Sequence, residues 1–251
     1  MRILALIVLL LAFAAPAQAM RVVSLNLCTD ELLLTLAPEQ AVAVSPLAAA
    51  PGLSVVAKAA REVPEVRPDA EAVLALHPDL VLAGTYGAQT TLALLEGNGV
   101  RVERFGLAPD FPAIAAELTR AGEVLGVPGR AATAITAMRA RLAALNPPAH
   151  AGAALVLEAR GWTAGPGTLA DAVLRAAGWA NAGSGRQLGL EALLAHPPAL
   201  LVTTPPPDFP SLATDFLAHP ALAALPRREI PPPLLLCGGP WSVAAAEILA
   251  R

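Results

Sequence analysis

One pattern of apolar and polar residues occurs twice along the chain. Residues 74–84 (LALHPDLVLAG) and 193–203 (LLAHPPALLVT) each read as a helix end, a His-Pro pair and an apolar run. Proline cannot continue a helix, and four or five apolar residues after it are typical of a buried strand. The repeat therefore predicts equivalent helix-to-strand corners in the two halves of the chain, at His77 and His196.

The first half reads as strands that alternate with helices. Thr29 suits an N-cap, and Asp30 and Glu31 follow it in a first turn, where a helix favours negative charge. Such alternation predicts a mostly parallel sheet that is covered by helices on both faces. Strands are predicted at 21–25, 41–44, 80–83 and 100–105, and the later helices at 69–76 and 89–96.

The second half repeats this logic after a helical connector. A strand is predicted at 153–158, a helix at 168–177, and a last strand opening at Glu229 and Ile230 before a closing helix. The connector contains helices at 111–125 and 128–145, and the second would be a rod of about 27 Å. Its apolar residues recur at spacings of three and four, which predicts one packed face: Ile135, Met138, Leu142 and Leu145. We therefore expect an α/β protein with two similar lobes, 20–110 and 149–251, joined by a connector at 111–148 that includes a single long interlobe helix.

The first 19 residues have the pattern of a secretory signal peptide. Arg2 precedes an apolar run at 3–15, and Ala17-Gln18-Ala19 has the small-x-small form that signal peptidase cuts. The run of about 13 residues is shorter than the roughly 20 that a membrane-spanning helix needs. We expect export to the periplasm and a soluble mature chain.

Composition narrows the function classes. A net charge of −3 without a basic stripe argues against nucleic acid as a partner. The two cysteines, Cys28 and Cys237, are too few for a disulfide scaffold and too distant for a local metal motif. They form either one disulfide, bridging the two lobes across a cleft, or two buried thiols. We expect a monomer without a cofactor.

The sequence contains none of the common catalytic or metal-binding motifs. The sequence has no G-x-S-x-G, no H-E-x-x-H and no Gly-Lys-Ser/Thr loop, and the Gly-rich stretches 165–168 and 183–189 fit turns better than phosphate or dinucleotide loops. Three histidines precede prolines in apparent helix-ending corners, which leaves no set that converges on zinc. The four histidines are His77, His150, His196 and His219. We expect neither an enzyme nor a bare-metal site.

The loops after the strands are the expected ligand site, because open α/β sheets bind ligands at the carboxyl ends of their strands. These loops hold Tyr86, Trp162 and Trp241, three of the nine aromatic residues (3 Trp, 1 Tyr, 5 Phe). Flat aromatic side chains in a cleft suit an apolar or macrocyclic ligand. Each tryptophan could instead pack against neighbouring helices.

Six segments, taken in their order along the chain, resemble the periplasmic substrate-binding proteins of ABC importers for iron-siderophore complexes, haem and cobalamin. They are the stretch Arg21-Val22-Val23-Ser24-Leu25-Asn26, the corner at 75–83, the helical rod, the loop 163–168, the second corner and the closing Gly239-Pro240-Trp241. The resemblance implies the class III fold: two Rossmann-like lobes, a shallow cleft, slight closure and no covalent chemistry. It places ligand contacts at Asn26, Cys28, Thr29, Tyr86, Trp162, Thr163, Arg186 and Trp241.

The resemblance also implies partners, namely a metal chelate and an inner-membrane ABC permease. Relatives dock on the permease through an acidic residue on each lobe; here Ala88-Gln89-Thr90 contains none, and the second lobe offers Asp208 and Asp215. Few arginines lie near the expected pocket, which favours a corrinoid or a hydroxamate chelate over a catecholate one. Arg186 could meet a ligand carboxylate or be a solvated loop residue. Haem remains an alternative ligand, and a zinc or manganese carrier or a secreted hydrolase are the rival classes.

Overall fold

Two parallel four-stranded sheets form the framework in the computed structural model, which describes residues 19–147, 152–205 and 215–251. The first sheet has the order β2-β1-β3-β4 and the second the order β6-β5-β7-β8. The strands are β1 (Val22–Ser24), β2 (Ala41–Ala43), β3 (Leu80–Gly84), β4 (Arg101–Phe105), β5 (Ala153–Val156), β6 (Ala180–Asn181), β7 (Leu200–Thr203) and β8 (Arg227–Glu229). Every pair of neighbouring strands is parallel. The matching orders confirm the α/β fold with two similar lobes.

Helices alternate with these strands as the apolar pattern predicted. They are α1 (Leu27–Leu36), α2 (Ala57–Ala60), α3 (Ala70–Leu74), α4 (Gln89–Gly97), α5 (Phe111–Val124), α6 (Pro128–Ala144), α7 (Leu169–Ala176), α8 (Leu190–Ala195), α9 (Pro233–Leu236) and α10 (Val243–Leu249). The N-cap of α1 is Asn26 rather than the predicted Thr29, because the Asn26 side chain accepts from the backbone N–H groups of Cys28 and Thr29. Asp69, Asp110 and Thr168 cap α3, α5 and α7 in the same way. In the described residues, no helix is long and apolar enough to cross a bilayer.

Both His-Pro phrases lie where a helix turns into the third strand of its lobe. His77 has a left-handed φ of 48°. The Arg21 guanidinium donates to the carbonyls of Leu76 and His77, and Asp79 accepts from the Arg21 backbone N–H. The corner before β3 is thus tied to the beginning of β1. His196 takes the corresponding place between α8 and β7.

Two local predictions in the second lobe differ from the structure, and one strand was missed. His219 begins a short 3-10 helix, Pro220–Leu222, instead of ending a helix, and its Nδ1 atom accepts from Ala221. The last strand occupies Arg227–Glu229, and prolines then turn the chain into α9. The two-residue strand β6 was not predicted.

Helix α6 is a strut that is anchored in both lobes. Near its beginning, Arg130 donates to the Leu36 carbonyl and to the Glu39 carboxylate of the first lobe. Near its end, Arg141 forms a two-point ion pair with Glu247 of α10, each contact 2.8 Å long. The spacing of these arginines along a helix is about 16 Å. The strut is therefore attached at both ends by charged contacts.

The lobes also share one buried apolar cluster. It includes Leu33 and Leu80 of the first lobe, Met138 of α6, and Val156 and Val243 of the second. Helices α5 and α6 approach closely at Gly122, where a Cβ atom would lie 2.5 Å from the Ala131 Cβ. A continuous core restricts how far the lobes can move apart.

The end of the chain is fixed on the side of the second sheet where its strands begin. Trp179, directly before β6, donates from its indole N–H to the Leu249 carbonyl at 3.1 Å. Arg228 of β8 donates to the carbonyls of Ile248 and Leu249. Several predictions lie outside the described residues: the signal peptide up to residue 18, His150 and Asp208.

Candidate functional site

Each lobe has a hollow at the carboxyl ends of its strands. The first hollow, of about 70 Å³, is bordered by residues that follow β1, β3 and β4 and by one residue from the second lobe. Its lining is Asn26, Cys28, Thr29, Leu32, Gly84, Thr85, Tyr86, Phe105, Gly106, Leu107, Ala108, Glu117 and Gly238. The second hollow, of about 200 Å³, is lined by Val156, Leu157, Glu158, Val202, Thr203, Thr204, Ile230, Pro232, Leu235 and Leu236. These positions match the expected cleft.

A short segment, residues 235–238, separates the two hollows. Leu235 and Leu236 line the second hollow, whereas Gly238 lines the first. Between them, Cys237 is bonded through its sulfur to Cys28, with the Cα atoms 5.2 Å apart. The disulfide therefore joins the two lobes covalently beside the cleft.

Large exposed apolar side chains line the hollows or lie on a segment beside them. Tyr86 and Leu107 line the first hollow and Leu236 lines the second, whereas the Trp162 carbonyl accepts from the N–H of Glu158, which lines the second. Tyr86 is 78% exposed and Leu107 71% on the first lobe, and Trp162 is 49% and Leu236 48% exposed on the second. Exposed apolar groups that lie together at a concave surface mark binding sites. We call these four side chains the apolar rim.

The loop after β1 positions polar groups at the first hollow. Asn26 Oδ1 accepts from Cys28 N at 2.9 Å and from Thr29 N at 3.4 Å, so the amide nitrogen of Asn26 points elsewhere. The Thr29 hydroxyl is buried, shares a hydrogen bond with Ser24 Oγ and donates to the Asn26 carbonyl. Thr29 thus lines the hollow but uses its hydroxyl to hold the loop.

In the second lobe, Trp162 and Thr163 form a short antiparallel pairing with residues 186–187, which we call the ribbon. Trp162 pairs with Gln187 in an antiparallel bridge. Thr163 is buried, and both its N–H and its hydroxyl donate to the Arg186 carbonyl. The Arg186 guanidinium is exposed and has no partner within the described residues. Thr163 therefore supports the ribbon, while Trp162 and Arg186 remain available to a ligand.

Trp241 contacts the segment that separates the two hollows but is not among the residues that line them. Its indole N–H donates to the Cys237 carbonyl at 3.0 Å, and its ring covers Gly239 so closely that a Cβ there would lie 2.2 Å from it. The side chain is half-buried and lines neither hollow. The indole thus holds the chain segment that carries Cys237, and a ligand contact of Trp241 stays a prediction.

Several residues at the hollows were not selected from the sequence. Glu117 of α5 contributes a carboxylate whose Oε2 atom is buried without a hydrogen-bond donor. Thr203 ends β7 with a hydroxyl that also lacks a partner in the described residues. Their signals in the sequence are weak, since Glu117 sits in the middle of an ordinary amphipathic helix and Thr203 at the end of an apolar strand.

Two buried acids lie in α1 but face residues 45–55 rather than the cleft. Asp30 accepts from the Ser45 N–H and hydroxyl, and Glu31 accepts from Val55 N at 2.9 Å. Desolvation raises the pKa of Asp30 to about 6 and the pKa of Glu31 to about 8. These groups affect stability rather than ligand contact.

No group of three or more His, Cys, Asp or Glu residues converges on a possible metal position within the described residues. The hollows instead combine apolar walls with single polar groups. Such a surface can bind an organic ligand through its shape and a few hydrogen bonds.

The comparisons with known proteins agree with this geometry. A cobalamin-binding protein of Halobacterium salinarum is 32% identical over 145 residues, which are 53% of this chain and 39% of that protein. The periplasmic haem-binding protein of Pseudomonas aeruginosa has 29% identity and a TM-score of 0.70, covering 92% of each chain. The apo haem-binding protein RhuT of Roseiflexus sp. RS-1 has 25% identity and a TM-score of 0.72, covering 92% of this chain and 97% of that one.

The chain thus spans well under half of the curated relative that it matches. The solved neighbours, by contrast, are matched over almost their whole length and are binding proteins rather than enzymes. The family model described as periplasmic binding protein matches residues 22–226. This chain belongs to the periplasmic binding protein family.

Proposed function

We propose that this chain is the periplasmic receptor of an ABC importer and captures a corrinoid, a bulky macrocyclic metal chelate, between its lobes. The family match supports a binding role, and the curated relative is a cobalamin-binding protein. The predicted signal peptide and the disulfide both fit an oxidising compartment outside the cytoplasm. The ligand is released, chemically unchanged, to the permease.

The apolar rim is the observation that carries this proposal. Neither hollow, at about 70 and 200 Å³, is large enough for a whole macrocycle. A flat ring can instead lie across the rim, between Tyr86 and Leu107 on one side and Trp162 and Leu236 on the other, with its side groups in the hollows. Aromatic and leucine side chains gain free energy when a flat apolar surface covers them.

The disulfide and the strut bear on how the ligand is captured. Both join the lobes, and the buried cluster continues from one lobe into the other. A large closing motion would be restrained by the disulfide and would disrupt the noncovalent contacts. We infer that the cleft is largely preformed, so that binding requires little reorganisation.

Haem is the second candidate, favoured by one residue. Tyr86 is the only tyrosine of the chain and the most exposed member of the rim. A phenolate oxygen is an axial ligand that haem iron accepts. The solved haem-binding neighbours support this candidate.

We propose that the second lobe docks on the permease through Asp215, which is exposed and is the one of the two predicted docking acids that the structure describes. Exchange of Asp215 for asparagine should lower ligand-stimulated ATPase activity of the reconstituted permease without changing ligand affinity.

Titration of the purified mature protein with cyanocobalamin, haemin and a ferric hydroxamate tests the function. We expect saturable quenching of tryptophan fluorescence at one ligand per chain, and a spectral change of haemin that Tyr86→Phe abolishes if haem binds through the phenol. If all three compounds leave the fluorescence and the melting temperature unchanged, the proposal is wrong.

A further inference from the structure

The first hollow exists because two glycines end neighbouring strands. Gly84 of β3 pairs with Phe105 of β4, and Gly106 follows directly. A Cβ atom on Gly84 would lie 3.0 Å from Asn26 Nδ2, and one on Gly106 would lie 3.6 Å from Glu117 Oε1. Asn26 and Glu117 therefore both border the hollow, Asn26 beside the end of β3 and Glu117 beside the end of β4.

The hydrogen-bonding groups of this hollow are mostly occupied. The hydroxyls of Thr29 and Thr85 donate to the Asn26 and Phe105 carbonyls. Asn26 Oδ1 accepts from two backbone N–H groups, which fixes the amide orientation and leaves Nδ2 as a free donor. Among the side chains that line the hollow, two groups remain beside the exposed Tyr86 hydroxyl: one donor, Asn26 Nδ2, and one acceptor, the Glu117 carboxylate.

The Glu117 carboxylate has a long ion pair with Arg120 but accepts no hydrogen bond at its buried oxygen, Oε2, in the described residues. The nearest cation is Arg120, whose Nη1 atom lies 3.8 Å away and whose guanidinium donates to the Arg104 carbonyl and to Glu103. A buried acceptor without a donor costs free energy unless a ligand or water supplies one.

A primary carboxamide satisfies both groups together. Its oxygen accepts from Asn26 Nδ2, and its NH₂ group donates to Glu117. The volume of about 70 Å³ corresponds to roughly two water molecules, which suits one such head group. A carboxylate has no N–H to donate and would carry its negative charge towards that of Glu117.

We propose that Asn26 and Glu117 recognise a carboxamide of the ligand and thereby select amide-bearing corrinoids over carboxylate-bearing porphyrins. This assignment rests on the proposed binding of a macrocycle across the apolar rim. It gives the first hollow a specificity role, whereas the rim supplies most of the affinity. A site that needs a hydrogen-bond donor rejects an analogue without it strongly, because its own polar groups are then left unpaired.

The test compares two ligands that share one ring. Dicyanocobinamide carries primary amides, and dicyanocobyrinic acid carries carboxylates at the same positions. We expect isothermal titration calorimetry of the wild-type protein to give at least about tenfold tighter binding of the amide. Glu117→Gln should reduce this ratio, mainly by improving binding of the acid.

Asn26→Asp is the complementary variant. It keeps an oxygen for the N-cap of α1 but replaces the free donor with an acceptor, so cobinamide should bind about tenfold more weakly. Glu123→Gln, an exposed glutamate on the same helix, is the matched control and should leave both affinities unchanged. Thermal melts of each variant verify that it is folded.

The outcomes separate the two proposals. Three results would overturn the carboxamide assignment while leaving the receptor function intact. They are an equal affinity for both corrinoids, a preference for the acid or for haemin, and an amide preference that Glu117→Gln does not alter. If neither corrinoid nor haemin binds to any of the folded proteins, the proposed function fails, and the assignment fails with it.

Discussion

Cys28 and Cys237 connect the first turn of α1 to the segment that separates the two hollows. Their bond closes a loop with a sequence separation of 209 residues. A crosslink over such a distance limits the unfolded chain strongly. In the folded protein it lies where the lobes meet, so it affects both stability and the shape of the cleft.

Loss of this bond should destabilise the protein. We expect the double variant Cys28→Ser, Cys237→Ser to lose about 2–5 kcal/mol in free energy of unfolding, measured by urea denaturation. Wild-type protein in reductant should behave like the variant, whereas the variant itself should not respond to reductant. An unchanged urea midpoint would show that packing alone holds the lobes together.

The buried acids of α1 should make stability fall as pH rises. Burial raises the pKa of Glu31 from 4.5 to about 8 and that of Asp30 from 3.8 to about 6. For each group, between its unfolded and its folded pKa, the folded protein holds a proton that the unfolded chain has released. The free energy of unfolding therefore decreases as pH rises through these windows up to about pH 8, by about 1.4 kcal/mol in total for each unit of pKa shift. Glu31→Gln should flatten this decrease in denaturation curves recorded from pH 5 to pH 9.

The exposed Glu62 provides the control for this variant. Glu62→Gln should follow the wild-type pH profile. A Glu31→Gln protein that loses stability with pH as steeply as the wild type would contradict the assignment of the effect to the Glu31 carboxyl.

Leucines at the rim and away from it should differ in their effect on binding. Leu107 lines the first hollow, whereas Leu94, which is 53% exposed, lies on α4 and lines neither hollow. Leu107→Ala and Trp162→Ala should each weaken cobinamide binding by about tenfold, because each loses apolar surface that the ligand covers. Leu94→Ala should bind like the wild type, and an equal loss for both leucine variants in calorimetry would argue against the rim.

The approach of α5 and α6 depends on Gly122. A Cβ there would lie 2.5 Å from that of Ala131, whereas a Cβ on Gly129 of α6 would meet nothing within 4 Å. Gly122→Ala should cost about 1–3 kcal/mol through overpacking, despite the helix propensity of alanine. Gly129→Ala should be neutral or stabilise by up to about 1 kcal/mol. The melting temperature should fall for Gly122→Ala and stay unchanged or rise for Gly129→Ala, and equal shifts of the two variants would contradict the close contact.

The architecture follows from patterns that are local in sequence. The two His-Pro phrases predicted equivalent corners, because the proline that ends a helix and the apolar run of the next strand lie within a few consecutive residues. The interlobe helix followed from its 3.6-residue periodicity, although its attachment by Arg130 and Arg141 depends on distant partners. The strand β6 escaped prediction because two residues carry too little pattern.

The candidate site was only partly accessible from the sequence. Loops after strands could be selected by topology, which brought Asn26, Tyr86 and Trp162 to the hollows or their rim. Glu117 could not be selected, since only the packing of α5 beside β4 brings it to the cleft. Trp241 was selected for its position after the last predicted strand, but the sequence did not show that it lies in the 3-10 helix Pro240–Ser242 with its ring on Gly239.

The attachment of α10 beside the beginning of β6 has a practical consequence. Because Trp179 and Arg228 hold the Leu249 carbonyl there, residues 249–251 lie on the side of the second sheet opposite to the hollow at its carboxyl edge. A tether or a fluorescent label attached at Arg251 would leave both hollows directed towards bulk solution. Immobilised protein should therefore bind its ligand as the free protein does.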